Sequence, residues 1–168
     1  MEPSSRNHTY WSFIDRVGEN LTNQHSIPVN VDATLLAMSL NRASVAITHD
    51  FESKVHRPAG SSWAAYRVLF ALWNSGATSA SSLANITGMT RAAVSNISKP
   101  LETKGLITKA KDPEDGRGTL VELTPAGTDF VSSIFAQQNQ LETVWAEKLT
   151  PVERTMLVEL LRKLSAEA

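Results

Sequence analysis

The chain has no cysteine among its 168 residues, which excludes disulfide staples, thiolate nucleophiles, zinc knuckles and thiol-based redox sensing. Long apolar runs are also missing. No basic start leads into an apolar stretch with a small-residue cleavage site, and no lipidation motif closes the chain. A cytoplasmic protein without a membrane partner is therefore expected. There is no Gly-x-Ser-x-Gly elbow, phosphate-binding glycine loop, dinucleotide fingerprint or zinc-protease helix. Catalysis would need Ser, His and Asp gathered only by the fold, so neither an enzyme nor a cofactor is expected.

A strong net charge is lacking too. The formal balance is −1, whereas nucleic-acid binding usually leaves a footprint of clustered Lys and Arg. The distribution is more telling than the total. From Gly88 to Lys111 the chain carries Arg91, Lys99, Lys104, Lys109 and Lys111 against Glu102 alone, a local balance of +4. The remaining 144 residues therefore sum to −5, and the surplus basic charge sits in one segment.

What is present is mostly helical patterning, and the length suits one ordinary domain with helical additions. Residues 1–30 are polar, with Tyr10, Trp11 and Phe13 opening a short amphipathic helix that ends before Pro28. From Val31, the residues Leu36, Leu40, Ala43, Ile47, Phe51 and Val55 recur at steps of three or four, the stripe of one long helix stopped at Pro58. Ser61 or Ser62 caps the next helix, whose apolar face is Ala65, Val68, Leu69 and Leu72 and whose end is Gly76.

Thr78 or Ser79 caps a short helix through Ile86. Thr87, Gly88 and Met89 form a turn, and Thr90 caps a helix that reaches Lys104, with Gly105 in the stop position. Two short helices across a glycine-containing turn are the skeleton of a helix-turn-helix. Leu106 to Lys111 and Thr119 to Thr124 read as strands, separated by a turn-rich run from Asp112 to Gly118 that forms a wing. Phe130, Ile134, Leu141, Val144 and Trp145 mark a further helix, and Thr150-Pro151-Val152-Glu153 opens the last one with a capping box.

The predicted fold is thus mainly α with a small β-hairpin: a winged helix-turn-helix over 61–124, flanked by helical dimerisation segments at 31–60 and 125–168. The stripes over Val31 to Val55, Phe130 to Trp145 and Val152 to Leu164 offer more apolar surface than one winged domain can cover. A homodimer in which two subunits bury it mutually follows.

Within the winged unit, the helix from Thr90 to Lys104 is the candidate recognition helix. Arg91 and Asn96 suit base reading, because guanidinium and carboxamide groups bond guanine and adenine in bidentate fashion. Thr90, Ser95 and Lys99 suit phosphate contact, and Ala92 lies on the same exposed face. Pro100 removes a helical hydrogen bond and is expected to bend or shorten this helix.

These residues carry a family resemblance. Ser82-Leu83-Ala84, Thr90-Arg91-Ala92-Ala93-Val94-Ser95, Leu101 to Ile107, Asp112 to Arg117 and Leu123-Thr124-Pro125-Ala126-Gly127 together resemble the MarR family of bacterial regulators. The Asp-x-Arg followed by Leu-Thr-x-x-Gly is the most specific part. It falls on Asp115, Arg117, Leu123, Thr124 and Gly127. The resemblance implies a triangular dimer joined by its terminal helices, with two winged domains on a pseudo-palindromic stretch of double-stranded DNA. Arg117 would enter the minor groove, where negative potential is concentrated, with Asp115 as its brace.

The resemblance also implies a small aromatic or phenolic acid as effector, for which Arg42, His49, Trp63, Tyr66 and Arg67 are the candidate liners, since a cation with aromatic walls suits a carboxylate-bearing ring. His49, Glu52 and His56 share a helical face at metal-ligand spacing. Without a fourth ligand they read as solvated or interface side chains, and no metal is expected. The functional expectation is a ligand-responsive repressor of transcription. The alternative is a winged helix used for protein association without DNA.

Overall fold

The computed structural model describes residues 9–23, 29–111 and 119–165. They fall into two compact units, Met1–His49 and Asp50–Ala168. Among the described residues no helix is long and apolar enough to cross a membrane.

The first unit is built by two helices. α1 spans Tyr10–Asn23 and α2 spans Val31–Phe51, its last residues passing into the second unit. Asn30 opens α2 by accepting the Ala33 amide at 3.0 Å, the side-chain cap that an otherwise unpaired first-turn N–H requires. α1 and α2 are tied by the Tyr10 hydroxyl, which donates to the Met38 carbonyl at 2.7 Å, and by Arg42, whose guanidinium lies 5.0 Å from the Tyr10 ring centroid. Ile14 is the buried side chain of α1.

The second unit begins where the long helical stripe breaks. Glu52–His56 winds as a π-helical turn, shown by the Arg57 amide bonding the Glu52 carbonyl five residues back. Such a turn inserts an extra residue per revolution. The periodicity that read as one helix to Pro58 is therefore displaced by a step, and His56 turns inward, wholly buried. The expectation of a solvated or interface side chain at His56 is corrected by this.

α3 spans Trp63–Ser75 and is capped by Ser62, whose hydroxyl accepts from the Ala65 amide at 3.1 Å. After it come β1, Thr78–Ser79, then α4, Ala80–Thr87, and α5, Arg91–Thr103. β2, Ile107–Lys111, and β3, Thr119–Leu123, complete a three-stranded antiparallel sheet in the order β1-β3-β2. Lys109 pairs with Val121, and Val121 also faces Thr78 of β1. The strand β1 was not legible in the sequence: two polar residues carry no alternation, and Ser79 serves at once as strand end and α4 cap.

α6, Pro125–Ala146, and α7, Pro151–Ser165, close the chain. Thr124 anchors α6 to the hairpin base: its amide donates to the Leu106 carbonyl at 3.1 Å and its hydroxyl to the Gly105 carbonyl at 2.6 Å. The core is the shared apolar face of α3, α4, α5, β3 and α6, with Val68, Leu69, Leu83, Val94 and Val131 fully inaccessible and Ile134 nearly so. α7 buries none of its residues. Val152, Met156, Leu160 and Leu164 stand exposed along it, Val152 at 71%.

Candidate nucleic-acid interface and ligand pocket

α4 and α5 meet across a turn whose geometry the sequence dictates. Gly88 has φ 64°, in the left-handed region where a side chain is strained. Thr90 then caps α5 by accepting the Ala93 amide at 3.1 Å. On α5, Val94, Ser98 and Leu101 are buried and Ile97 packs against the core. Their spacing fixes the opposite face. Thr90, Arg91, Ala92, Ser95, Asn96 and Lys99 are all exposed, and none of Arg91, Asn96 and Lys99 has a side-chain partner among the described residues.

α5 continues through Pro100 to Thr103. The expected shortening is thus absent: the Pro100 carbonyl still receives the Lys104 amide at 3.0 Å, and the Ser98 hydroxyl satisfies the Val94 carbonyl at 2.8 Å. Lys109 of β2 is paired with Glu102 of α5, which fixes the hairpin base against the helix. Asp115 and Arg117 lie in 112–118, outside the described residues.

A concavity of about 400 Å³ opens in the same unit, large enough for a one-ring ligand. Trp63, Tyr66, Arg67 and Phe70 of α3 line it, with Ile86 and Thr87 of α4 and Gln138 and Glu142 of α6. The Trp63 and Tyr66 rings stack with centroids 5.8 Å apart. Arg67 has neither a hydrogen bond nor an ion pair among the described residues, although a guanidinium carries five donors. Its Nη2 lies 3.7 Å from where a Cβ on Gly88 would stand, so this cation borders both the pocket and the helix-turn-helix turn.

Glu142 supplies the opposite charge. Its two oxygens accept from Gln138 Nε2 at 2.7 Å and Asn139 Nδ2 at 3.0 Å. Burial, with Glu142 adding to it, pushes the Tyr66 hydroxyl well above its ordinary range. Behind the aromatic wall lies His56, its ring centroid 4.8 Å from Tyr66 and 5.5 Å from Trp63. Among the described residues neither ring nitrogen has a partner in hydrogen-bonding geometry, and Gln138 Oε1 has none either. Burial holds the His56 pKa below its ordinary value, against the opposing pull of Glu52 and the Gln138 amide.

Of the five ligand liners expected from sequence, the structure therefore gathers Trp63, Tyr66 and Arg67 in one pocket. Arg42 and His49 belong to the first unit, where they border a separate concavity with Val45 and Ala46. Gln138 and Glu142 escaped the sequence reading, because a Gln and a Glu four residues apart on a helix look like any solvated face. Among the described residues, no group of three acidic, His or Cys side chains is placed to hold a metal ion.

Comparison with known proteins agrees with this architecture. A model of the MarR family matches residues 62–119. An HTH-type transcriptional regulator of Bacillus subtilis, YwaE, is 28% identical over 95% of each chain. The transcriptional repressor NicR of Pseudomonas putida is 29% identical over 57% of this chain and 61% of its own. Among solved structures, BpsR of Bordetella bronchiseptica, whose DNA binding is regulated by 6-hydroxynicotinic acid, is 30% identical, with a TM-score of 0.71 over 77% of this chain and 98% of its own. With the helix-turn-helix, the hairpin and the flanking helices in that order, this chain belongs to the MarR family of winged helix-turn-helix transcriptional regulators.

Proposed function

We propose that the protein is a homodimeric, ligand-responsive repressor that occupies a pseudo-palindromic operator and is released by a small aromatic acid. The observation that carries the DNA reading is α5: Arg91, Ser95, Asn96 and Lys99 share an exposed face while Val94, Ser98 and Leu101 fix the other in the core. Arg91 and Asn96 read bases, Thr90, Ser95 and Lys99 hold phosphates, and Ala92 leaves room for the close approach. Arg117, braced by Asp115, enters the minor groove from the wing.

Dimerisation is supported by α7, a helix whose apolar stripe has no buried residue in the single chain. Two copies packing α7 against one another would remove Met156, Leu160 and Leu164 from water, the dominant favourable term in association. Two α5 helices then meet half-sites one helical turn, or a multiple of it, apart.

The effector reading rests on Arg67. An unpaired guanidinium beside stacked Trp63 and Tyr66 rings suits the carboxylate and the ring of an aromatic acid. BpsR and NicR supply the parallels of a regulator answering such an acid and of a repressor. The ligand acts through its differential affinity for the free and operator-bound states, and by linkage the operator must weaken ligand binding equally.

The test is fluorescence anisotropy on the DNA upstream of the gene and on a genomic fragment pool, across a salt series, with Arg117→Ala and a scrambled duplex beside it. Sequence-selective, salt-dependent binding weakened by Arg117→Ala is expected. Binding that ignores sequence across the whole pool would overturn the repressor reading in favour of a winged helix that associates with protein.

A further inference from the structure

A second concavity, of about 320 Å³, shares no lining residue with the aromatic pocket. It lies between the start of α3, one flank of α5 and α6, with a floor of Ala65, Ile97, Leu101, Leu106 and Phe130. Its volume is at the lower end of ligand sites, room for one ring.

The polar groups at its edge are few and of one kind. Lys104 Nζ reaches across 44 residues of sequence to donate to the Gly60 carbonyl at 2.9 Å, and it has no carboxylate partner among the described residues. An ammonium offers three donors, so two are left. Ser61 also lines the space, and its Oγ is buried without a hydrogen-bond partner among the described residues, a costly state for a hydroxyl. Among the described residues no acidic side chain lines this concavity. A buried hydroxyl in want of a partner and a cation held in place together describe an acceptor-bearing, negatively charged guest.

We propose that this concavity is a second small-molecule site, for a compact organic carboxylate. The acid group lies between the Lys104 ammonium and the Ser61 hydroxyl, and the apolar body rests on Ile97, Leu101, Leu106 and Phe130. Asn96 and Pro100 also line the space, so an occupant touches the flank of α5 and borders Asn96 on its exposed face. Pro100 has no N–H to give the Asn96 carbonyl. The end of α5 is therefore held by one backbone bond fewer where the occupant would press on it. The site stands apart from the effector pocket and does not depend on what that pocket binds.

The test is titration of the full-length ¹⁵N-labelled protein with benzoate, cyclohexanecarboxylate and the neutral benzamide, read by amide shifts in two-dimensional NMR. Saturable shifts at Ser61, Ala65 and Ile97 with both acids are expected, and they should persist in Arg67→Met, which disables the aromatic pocket. Lys104→Met keeps the exposed stem and removes the charge. It should weaken the acids roughly fivefold, the scale of one exposed ionic contact, and Ser61→Ala should weaken them as well. Shifts confined to Phe70 and Thr87, shifts lost in Arg67→Met, or benzamide binding as tightly as benzoate would each overturn the proposal. Operator binding is read separately by anisotropy, so failure here and failure of the repressor reading are told apart.

Discussion

A Cβ placed on Gly127 would lie 1.9 Å from the carbonyl oxygen of Leu106. The same carbonyl accepts the Thr124 amide, so the first turn of α6 is pressed directly onto the base of the hairpin. Glycine is needed here for lack of a side chain and not for a left-handed backbone, since φ is not positive. Gly127→Ala should cost about 1–3 kcal/mol, the range for overpacking a tight contact. A lower urea midpoint at unchanged m-value would show it, whereas an unchanged midpoint would mean that the hairpin base yields.

His56 gives the fold a pH dependence. Its pKa is depressed in the folded protein below the ordinary 6.5, so the unfolded chain binds more protons in that window. Stability must rise with pH there and fall as pH drops below the unfolded value. His56→Phe removes two unpartnered nitrogens and keeps the ring against Trp63 and Tyr66. The variant should show a flatter dependence of the urea midpoint between about pH 5 and 7. An unaltered slope would place that titration elsewhere.

Asp50 acts at a more acid range. Hydrogen bonds from Lys54, 2.6 Å away, and from Trp145 Nε1, at 2.9 Å, hold its pKa below the usual carboxylate value. The stability this gives is present above the unfolded pKa and lost as pH falls through the folded one. Asp50→Asn should therefore lose stability at neutral pH and resist further acidification better than the parent, a crossing visible in thermal melts from about pH 3 to 7.

The DNA-facing side of the site was legible from sequence because it depends on local rules. Caps at Ser62, Ser79, Thr90 and Thr124, glycine at 88, and inward residues at steps of three and four on α5 all act within a few residues. What sequence hid depends on register or on distance. The π-helical turn moved His56 from a presumed surface face into the core, and two residues of β1 became a strand only because β3 lies beside them. Glu142 and Gln138 reach the pocket through the packing of α6 on α3, a contact more than 70 residues removed from Trp63, Tyr66 and Arg67 that no local pattern encodes.

Arg67 should decide whether the aromatic pocket recognises acids. With no partner of its own among the described residues, it can be changed without orphaning another buried charge. Arg67→Met should abolish benzoate-induced shifts at Phe70 and Thr87 while leaving the thermal midpoint within about 1 °C, as expected of a surface-accessible change. Glu142→Gln, which keeps the side-chain shape and one of its two accepted hydrogen bonds but removes a neighbouring negative charge, should tighten benzoate binding. Tighter binding in Arg67→Met would reverse the assignment of that cation.

The exposed face of α7 makes the sharpest claim on assembly. Met156, Leu160 and Leu164 follow one another at four-residue steps, and each is more than half exposed in the single chain. The capping box at Thr150 and Glu153 starts the helix without help: the Thr150 amide donates to Glu153 Oε2 at 2.7 Å. α7 can therefore form before it finds a partner, and what its apolar stripe lacks is a covering surface. Leu160→Glu with Leu164→Glu leaves helix propensity nearly unchanged and places two carboxylates where two copies would meet. Light scattering should report a dimer for the parent and a monomer of unchanged helix content for the double variant. A variant that stays dimeric would move the interface off α7.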